Sequence, residues 1–427
     1  MIDSFEQEID NLTIDTAKRT TDFCEFIVIM KGVHPVEIIN SLNRIYNRGG
    51  LSQYEYEQIM LSAQSRRLYE DDSDNRLPVP HMVDYDWRFS KQGISSFSSR
   101  INSIIETTDI KTIVFIGSPS LFKHYSNSGY TNIQFYLIDF NANQHIKQGE
   151  LKNNQHVIDC NIHYNIPAEA SIDSIKADIV IMDPPWYPEY YERFFEICSK
   201  VSQVGSKVIG VYPPERTRST VIEEKKKLSE YIRILGFDEI EYEPNSIEYS
   251  TPPFEKNVFV ANNIYNYPAN WRFGDLMLTT RIKDSSEFMM EYLMDQCLFV
   301  TNSGWSEKRC GIVRIKFKQN MECHSDDLFS ISISHLYKDD IYPSVSRRYN
   351  GHKSINVWTS GNRVFNCSNV PLLIRIIEGL DDSDIISSLQ NEYRVFLSHS
   401  QQKEIVDVHE FMKNISALET QEYGIWS

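Results

Sequence analysis

Short apolar runs alternate with longer segments of helical character between residues 100 and 282. Six of these runs have the length and the β-branched content of buried strands, namely 112–116, 134–138, 156–158, 179–182, 207–211 and 257–260. Strands that are separated by helices pair in parallel and are covered by those helices on both faces. The alternation therefore predicts an α/β domain, in which a ligand would bind beyond the carboxyl ends of the strands.

Smaller regions are expected on either side of this domain, because 427 residues exceed what one hydrophobic core usually serves. A charged stretch and the prolines after it predict a linker that ends near residue 76. We therefore predict an amino-terminal module in 1–76, the α/β domain in 77–282 and an α+β region of unknown role in 283–427.

Three helices are predicted in the amino-terminal module, near 23–30, 36–42 and 54–68. This arrangement would suit either a winged helix or a small bundle that only packs, and the bundle is favoured. In the carboxyl-terminal region we predict a helix over 285–295 and a strand near 311–317, with further helices towards the end of the chain.

Composition limits the classes of function. Hydrophobic residues make up 41% of the chain, which predicts a folded protein. The 43 basic and 59 acidic residues leave a net charge of −16, which disfavours unaided binding to nucleic acid. Seven scattered cysteines without a CxxC pair indicate no disulfide framework, and no metal is expected. Without a long apolar run or a basic-then-apolar leader, we expect no membrane association and a cytoplasmic location.

The strongest chemical signal is the sequence Asp183-Pro184-Pro185-Trp186, which directly follows the predicted strand at 179–182. Two prolines in succession form a rigid loop whose carbonyl groups can accept hydrogen bonds from an amino group. The Asp183 carboxylate can accept another, and the Trp186 ring offers a stacking face to a planar substrate.

Three earlier strand ends also carry polar groups. The turn Gly117-Ser118-Pro119-Ser120 leads from a strand into a helix, where backbone N–H groups could hold the amino-acid portion of a cofactor. Asp139 ends the next strand, 22 residues after Gly117 (139 − 117), and could accept the hydroxyl groups of a ribose. Asp159 ends a third strand. Each acid alone is more often a strand-end or helix-cap residue, but their order favours a ligand site.

The tetrapeptide at 183–186 resembles the Asp-Pro-Pro-aromatic motif of S-adenosylmethionine-dependent amino-methyltransferases, which act on adenine N6, cytosine N4, or protein glutamine and lysine. The turn at Gly117 is similar to the Ser-x-Pro-Ser turn of a subgroup first described as probable N6-adenine methyltransferases, which also contains protein-lysine methyltransferases. Gly117 stands where that subgroup has its first serine, and the usual Gly-x-Gly is missing. The resemblance covers roughly residues 110–265.

This resemblance implies a class I, Rossmann-like domain that binds S-adenosylmethionine. It assigns the reaction to Asp183, Pro184, Pro185 and Trp186. It assigns cofactor binding to the strand-end residues Gly117, Ser118, Pro119, Asp139 and Asp159, with Asp159 reaching the adenine amino group.

The leading hypothesis is therefore methyl transfer to an amino nitrogen, with nucleic acid and protein both open as substrates. A protein partner could bind through the amino- or carboxyl-terminal region. An aminopropyltransferase acting on polyamines is a second hypothesis, because a polyamine would suit a chain of net charge −16. A third is a scaffold that has lost its methyltransferase activity, because the turn at Gly117 departs from the usual pattern.

Overall fold

The computed structural model describes residues 4–66, 77–140, 151–160, 174–284, 304–318, 328–346 and 354–426, together with the single positions 142, 146, 149, 162, 172, 349 and 351. The chain forms two compact units. The first unit comprises Met1–Ser65, Arg88–Ser250 and Asn266–Gln296. The second unit comprises Arg66–Trp87, Thr251–Tyr265 and Cys297–Ser427. The predicted division of the chain at residues 76 and 282 into folding domains stays a prediction.

The first unit contains an eight-stranded sheet with the order β1-β7-β8-β6-β5-β2-β3-β4. Its strands are β1 Arg88–Phe89, β2 Thr112–Ile116, β3 Gln134–Asp139, β4 Gln155–Asp159, β5 Ala177–Met182, β6 Ser202–Tyr212, β7 Phe237–Ser250 and β8 Arg272–Arg281. Strands β4, β3, β2, β5 and β6 pair in parallel, whereas β8 runs antiparallel to both β6 and β7. The predicted α/β, Rossmann-like fold is confirmed.

Strand β2 is the centre of this sheet, because it pairs in parallel with β3 on one side and with β5 on the other. Its residues Ile113, Val114, Phe115 and Ile116 are completely buried, as expected of a parallel strand covered on both faces. The order of the strands reverses here, and in open sheets of this kind a ligand binds beyond the carboxyl ends of the strands at such a point, here β2 and β5. Gly117 and Asp183 directly follow these two strands.

Eight helices of the first unit lie within its described residues. They are α1 Ser4–Ala17, α2 Phe23–Ile29, α3 Pro35–Asn47, α4 Gln53–Gln64, α5 Lys91–Thr107, α6 Pro119–Ser126, α7 Pro188–Val201 and α8 Val221–Ile234. A short 3₁₀ turn occurs in this unit at Glu215–Thr217, and two more occur in the second unit at Met82–Asp84 and Lys338–Asp340.

The amino-terminal module, which we define as helices α1 to α4, has one helix more than the sequence predicted. Helix α1 has a largely polar buried face, so it shows little apolar periodicity. Asp10 on that face is buried and accepts hydrogen bonds from Ser41, Arg44 and Arg48. These bonds and the positive charges hold the pKa of Asp10 below its usual value, although burial opposes this shift. No strand lies within residues 4–66, so the described part of the module contains no wing.

The predicted strand at 257–260 is wrong. These residues belong to helix α9, Pro253–Ala261, which begins with a proline at its first position. Phe254 and Val258 are buried four residues apart, as on one face of a helix. An apolar run of four residues fits a buried strand and a buried helix equally well, so periodicity alone could not separate them.

The second unit combines a five-stranded antiparallel sheet with helices, which confirms the predicted α+β class. The strand order is β11-β13-β12-β10-β9, with β9 Trp305–Cys310, β10 Val313–Lys318, β11 Ile333–His335, β12 Val357–Thr359 and β13 Val364–Cys367. Its helices are α9, α10 Val370–Glu378, α11 Ile385–Tyr393 and α12 His399–Trp426. The apolar faces of α10, α11 and α12 share one core with the sheet, including Phe317, Leu373 and Met412. Phe254 of α9 packs in a second cluster with Tyr342 and Trp358. The predicted helix at 285–295 lies outside the described residues.

A buried ion pair joins α12 to the sheet of the second unit. The Glu419 side chain is completely buried, lies 3.3 Å from the Arg363 guanidinium and accepts hydrogen bonds from Gly361 N (2.9 Å) and the Tyr423 hydroxyl (3.0 Å). Burial raises the pKa of Glu419, while Arg363 and the hydrogen bonds oppose that rise. Removal of Arg363 would leave the Glu419 carboxylate buried without a cation, which would strongly destabilise the fold.

We expect Arg363→Met to lower the free energy of unfolding of the second unit by about 3–5 kcal/mol, because it leaves Glu419 buried without its cation. Urea unfolding followed by circular dichroism would measure the change. The control is Arg375→Met, which removes an exposed arginine from the pairs with Glu378 and Glu392 and should change the free energy of unfolding far less than Arg363→Met does. Equal losses in the two variants would contradict this account.

Candidate active site at the carboxyl edge of the sheet

The structure brings all four strand-end positions predicted from the sequence to one edge of the sheet. Gly117 follows β2, and its N–H donates to Ile138 O at 3.0 Å on β3. Asp183 follows β5, and its N–H donates to Ile116 O at 3.1 Å. Asp139 and Asp159 are direct partners in the register of β3 and β4. Parallel pairing therefore collects polar groups that lie far apart in the sequence.

Gly117 occupies a position that requires glycine. Its φ of +63° lies in the left-handed region, which other residues rarely adopt. A Cβ atom here would also lie 2.9 Å from the Phe194 ring and 3.3 Å from Asp183 O. The single glycine is thus explained by the close approach of α7 and of the chain after β5.

Ser118 precedes the first residue of α6, and Pro119 occupies the first helical position. The Ser118 hydroxyl makes no capping hydrogen bond, is buried and has no hydrogen-bond partner among the described residues. A buried hydroxyl without a partner is costly, and the start of a helix offers N–H groups to an anionic group. Ser118 therefore fits the carboxylate end of a bound amino-acid group.

The two other predicted cofactor residues differ in burial. Asp139 at the end of β3 is half-buried, whereas Asp159 at the end of β4 is exposed. Both carboxylates lie at the edge where a ligand of this fold binds. Their roles towards a ribose and an adenine stay predictions, because most of the residues after each strand lie outside the described part of the chain.

Asp183 is held by a residue that sequence reasoning missed. The Tyr249 hydroxyl near the end of β7 donates to Asp183 Oδ1 at 2.5 Å. Burial raises the pKa of Asp183 to about 7, although the Tyr249 hydrogen bond and the charge of Arg272 both favour the ionised form. Asp183 Oδ2 has no hydrogen-bond partner among the described residues. A half-buried carboxylate with one free oxygen can receive a hydrogen bond from a ligand.

The carbonyl groups of Pro184 and Pro185 differ in their hydrogen bonding. Pro185 O accepts a hydrogen bond from Tyr187 N at 2.7 Å, which closes a tight turn before α7. Pro184 O accepts no hydrogen bond from any described residue. Asp183 Oδ2 and Pro184 O are therefore two neighbouring acceptors at the end of β5.

Trp186 packs more tightly than its predicted stacking role suggests. The Arg272 guanidinium lies 3.8 Å from the centre of the indole ring, and the Tyr249 ring meets it edge-on at 5.7 Å. Only 7% of Trp186 is exposed. A planar substrate could stack on the face that Arg272 covers only if Arg272 moved, so stacking stays a prediction.

Sequence reasoning missed Tyr249 and Arg272 because they come from β7 and β8, the strands that it did not predict. These residues are direct partners in the antiparallel register of the two strands. Gly274 on β8 allows the close packing, since a Cβ there would lie 2.2 Å from Val211 Cγ1 and 3.2 Å from Trp186 Cζ2. No local motif signals such contacts, because they depend on strand register.

Comparison with known protein families gives a match over the central region. Residues 86–250 match the sequence profile of the family described as "Probable N6-adenine methyltransferase". This range contains the positions of Gly117, Asp139, Asp159 and Asp183 and covers less than half of the chain. No curated protein sequence is significantly similar to the chain. The fold and the family match make the central region a class I methyltransferase domain with S-adenosylmethionine as its cofactor.

Several solved structures are similar in chain path. The branched-chain polyamine synthase of Thermus thermophilus, in complex with N4-aminopropylspermidine and 5'-methylthioadenosine, is 11% identical, with a TM-score of 0.47 and coverage of 67% of this chain and 90% of that chain. A Thermotoga maritima S-adenosylmethionine-dependent O-methyltransferase is 14% identical, with a TM-score of 0.30 over 49% and 74%. Human N-acetylserotonin methyltransferase is 11% identical, with a TM-score of 0.28 over 63% and 66%. Such distant likenesses do not indicate an acceptor.

Among the described residues, no three His, Cys, Asp or Glu side chains cluster as metal ligands. Within the same part of the chain, no helix combines the length and apolar character needed to span a bilayer.

We expect Ser118→Ala to weaken the binding of S-adenosylmethionine roughly tenfold, because the cofactor would lose one hydrogen bond. The melting temperature of the free protein should stay the same or rise slightly, because the variant removes a buried hydroxyl without a partner. Isothermal titration and thermal unfolding measure the two effects. In the control Ser128→Ala, beyond the other end of α6, a hydrogen bond to Tyr125 O is lost and cofactor affinity should not change. Unchanged affinity in Ser118→Ala would remove Ser118 from the cofactor site.

We expect Tyr249→Phe to raise the pKa of Asp183 above its value of about 7, because the ionised carboxylate loses a hydrogen-bond donor. Carbon-13 NMR titration of aspartate carboxyl groups, with Asp183→Asn for assignment, measures this pKa. Tyr125→Phe is the control, since the Tyr125 hydroxyl bonds to Asn102 instead. An unchanged or lower pKa of Asp183 in Tyr249→Phe would contradict the stabilisation of the ionised carboxylate by this hydrogen bond.

Proposed function

We propose that the first unit transfers a methyl group from S-adenosylmethionine to an amino nitrogen of its substrate. The observation that carries this proposal is the pair of free acceptors, Asp183 Oδ2 and Pro184 O, at the end of β5. They lie at the same sheet edge as Ser118, whose hydroxyl lacks a partner among the described residues. The family match over residues 86–250 supports the same conclusion.

The acceptor pair suits an amine better than a hydroxyl group. A primary amino nitrogen carries two hydrogens, which Asp183 Oδ2 and Pro184 O can accept together. These two hydrogen bonds orient the nitrogen and leave its lone pair free for reaction. A hydroxyl has one hydrogen and would leave one acceptor without a partner.

Asp183 can also take up the proton that the amine loses. When bound, S-adenosylmethionine supplies a methyl group that is already activated for transfer. A carboxyl group with a pKa of about 7 is close to the optimum for accepting a proton near neutral pH. Tyr249 holds Oδ1, so the proton would reside on Oδ2. Little other acid–base machinery is required.

We propose that the acceptor is a nucleic acid or a protein, because both offer amino groups. A protein partner could bind to the amino- or carboxyl-terminal region of this chain and so present the acceptor. The net charge of −16 favours an acceptor that does not depend on broad phosphate contacts.

We expect Asp183→Asn to reduce methyl transfer by at least about 100-fold, because the amide cannot accept a proton. Affinity for S-adenosylmethionine should stay within about threefold, since the acceptor side of the site is changed. The measurement uses labelled S-adenosylmethionine with separate RNA, DNA and protein fractions of a cell extract. The matched control is Asp238→Asn, a half-exposed carboxylate on β7 paired with Arg233.

Full transfer by the Asp183→Asn variant would contradict the proposed site. Cofactor binding without transfer by the wild-type chain would indicate a scaffold. Consumption of decarboxylated S-adenosylmethionine in the presence of spermidine, in a parallel assay, would indicate an aminopropyltransferase instead.

A further inference from the structure

The segment that leads into β8 is anchored on the amino-terminal module. Asn266 N donates to Ala63 O at 3.1 Å, and the Asn266 side chain donates to Asp22 Oδ1 at 3.0 Å and to Ser62 Oγ at 3.1 Å. Asp22 caps the start of α2, and Ser62 lies in the last turn of α4. Asn266 is 5% exposed, so these bonds are shielded from solvent.

The turn between α2 and α3 contacts the same segment a few residues later. The Lys31 ammonium lies 4.1 Å from the centre of the Phe273 ring. The His34 ring meets the Trp271 ring edge-on at 5.1 Å. Successive side chains of an extended chain point in opposite directions, so Arg272 points away from this turn. Its guanidinium lies over Trp186 of the reaction motif, 3.8 Å from the ring centre.

The same turn also contacts the chain after β6. Gly32 has a φ of +93°, and a Cβ atom there would lie 3.1 Å from Pro214 Cβ and 3.4 Å from Arg216 Cβ. Arg216 lies 3.6 Å from Glu8 of α1. The module therefore contacts both chain segments that border the Trp186 end of the site.

We propose that the turn Lys31–His34 holds Trp271 and Phe273 so that Arg272 stays on Trp186, which makes the amino-terminal module a positioning element of the methyl-transfer site. This inference rests on the proposed function. Arg272 covers one face of the indole and places a positive charge near Asp183. Its position therefore decides how much of the ring an acceptor can contact and favours the ionised form of Asp183.

Two conservative substitutions remove these contacts while keeping the features that the module needs to fold. Lys31→Met keeps an unbranched side chain of similar length and removes the charge over Phe273. His34→Asn removes the ring against Trp271 but keeps a residue type that can cap α3, as His34 does by accepting from Val36 N at 3.2 Å. The control is Lys18→Met, at the exposed end of α1, which removes only a surface pair with Asp15.

The first measurement follows the indole N–H resonance of Trp186 in the full-length, nitrogen-15-labelled chain, assigned with Trp186→Phe. We expect Arg272→Met to shift this resonance, because the cation leaves the ring. The double variant Lys31→Met/His34→Asn should shift it in the same direction, whereas Lys18→Met should not. An unchanged Trp186 resonance in the double variant would overturn the proposed coupling.

The second measurement is methyl transfer from labelled S-adenosylmethionine to the cell fraction that accepts label. The double variant should slow transfer by about tenfold, because small displacements at a reacting centre are costly. Cofactor affinity and melting temperature should match those of Lys18→Met. The loss should not add to that of Arg272→Met, since both act through one contact. A full rate in the double variant, or a loss explained by a lower melting temperature, would overturn the proposal.

The two measurements distinguish a failure of the proposed function from a failure of the positioning role. If the wild-type chain transfers no methyl group to any fraction, the proposed function fails, and with it the role in catalysis, while the resonance of Trp186 still tests the coupling. If the wild type transfers label and the variants behave like Lys18→Met in both measurements, only the positioning role fails.

Discussion

Parallel pairing of β2 with both β3 and β5 is the constraint on which the candidate site depends. It reverses the strand order at the centre of the sheet and brings Gly117 and Asp183 together beyond the strand ends. The hydrogen bond from Asp183 N to Ile116 O extends that pairing one residue beyond the strand. Because β2 and β5 are largely buried on both faces, their register is strongly specified, and it decides where the polar groups after them lie.

Two effects act in opposite directions on the pKa of Asp183, namely burial and the neighbouring groups that favour its ionised form. Burial alone would favour the neutral acid, while the Tyr249 hydroxyl and the Arg272 guanidinium favour the carboxylate. The resulting pKa near neutrality suits a group that accepts a hydrogen bond and then a proton. Arg272 also fixes Trp186, so one residue of β8 affects both the charge and the shape of the site. Perturbed carboxyl groups of this kind are typical of functional sites.

Some of the fold and site could be predicted because the signals are local. The apolar runs predict the five strands β2 to β6, and the places of Gly117, Asp139, Asp159 and Asp183 at or just after the strand ends mark them as site candidates. Helix α1 was missed, because its buried face carries Asp10 and threonines instead of an apolar stripe. Strand β7 was missed because its first half exposes glutamates, and α9 was mistaken for a strand because four apolar residues fit both periods.

The sequence by itself determined the class of fold and the rigid Asp183-Pro184-Pro185 loop, since backbone restriction by proline and the burial of alternating apolar runs are properties of short segments. Tertiary structure alone decided which groups surround that loop. Tyr249 and Arg272 reach it through antiparallel strands, and the turn at Lys31–His34 reaches Arg272 from a module more than 200 residues earlier in the chain. Such contacts follow from strand register and helix docking, which depend on the whole unit and leave no mark in any local pattern.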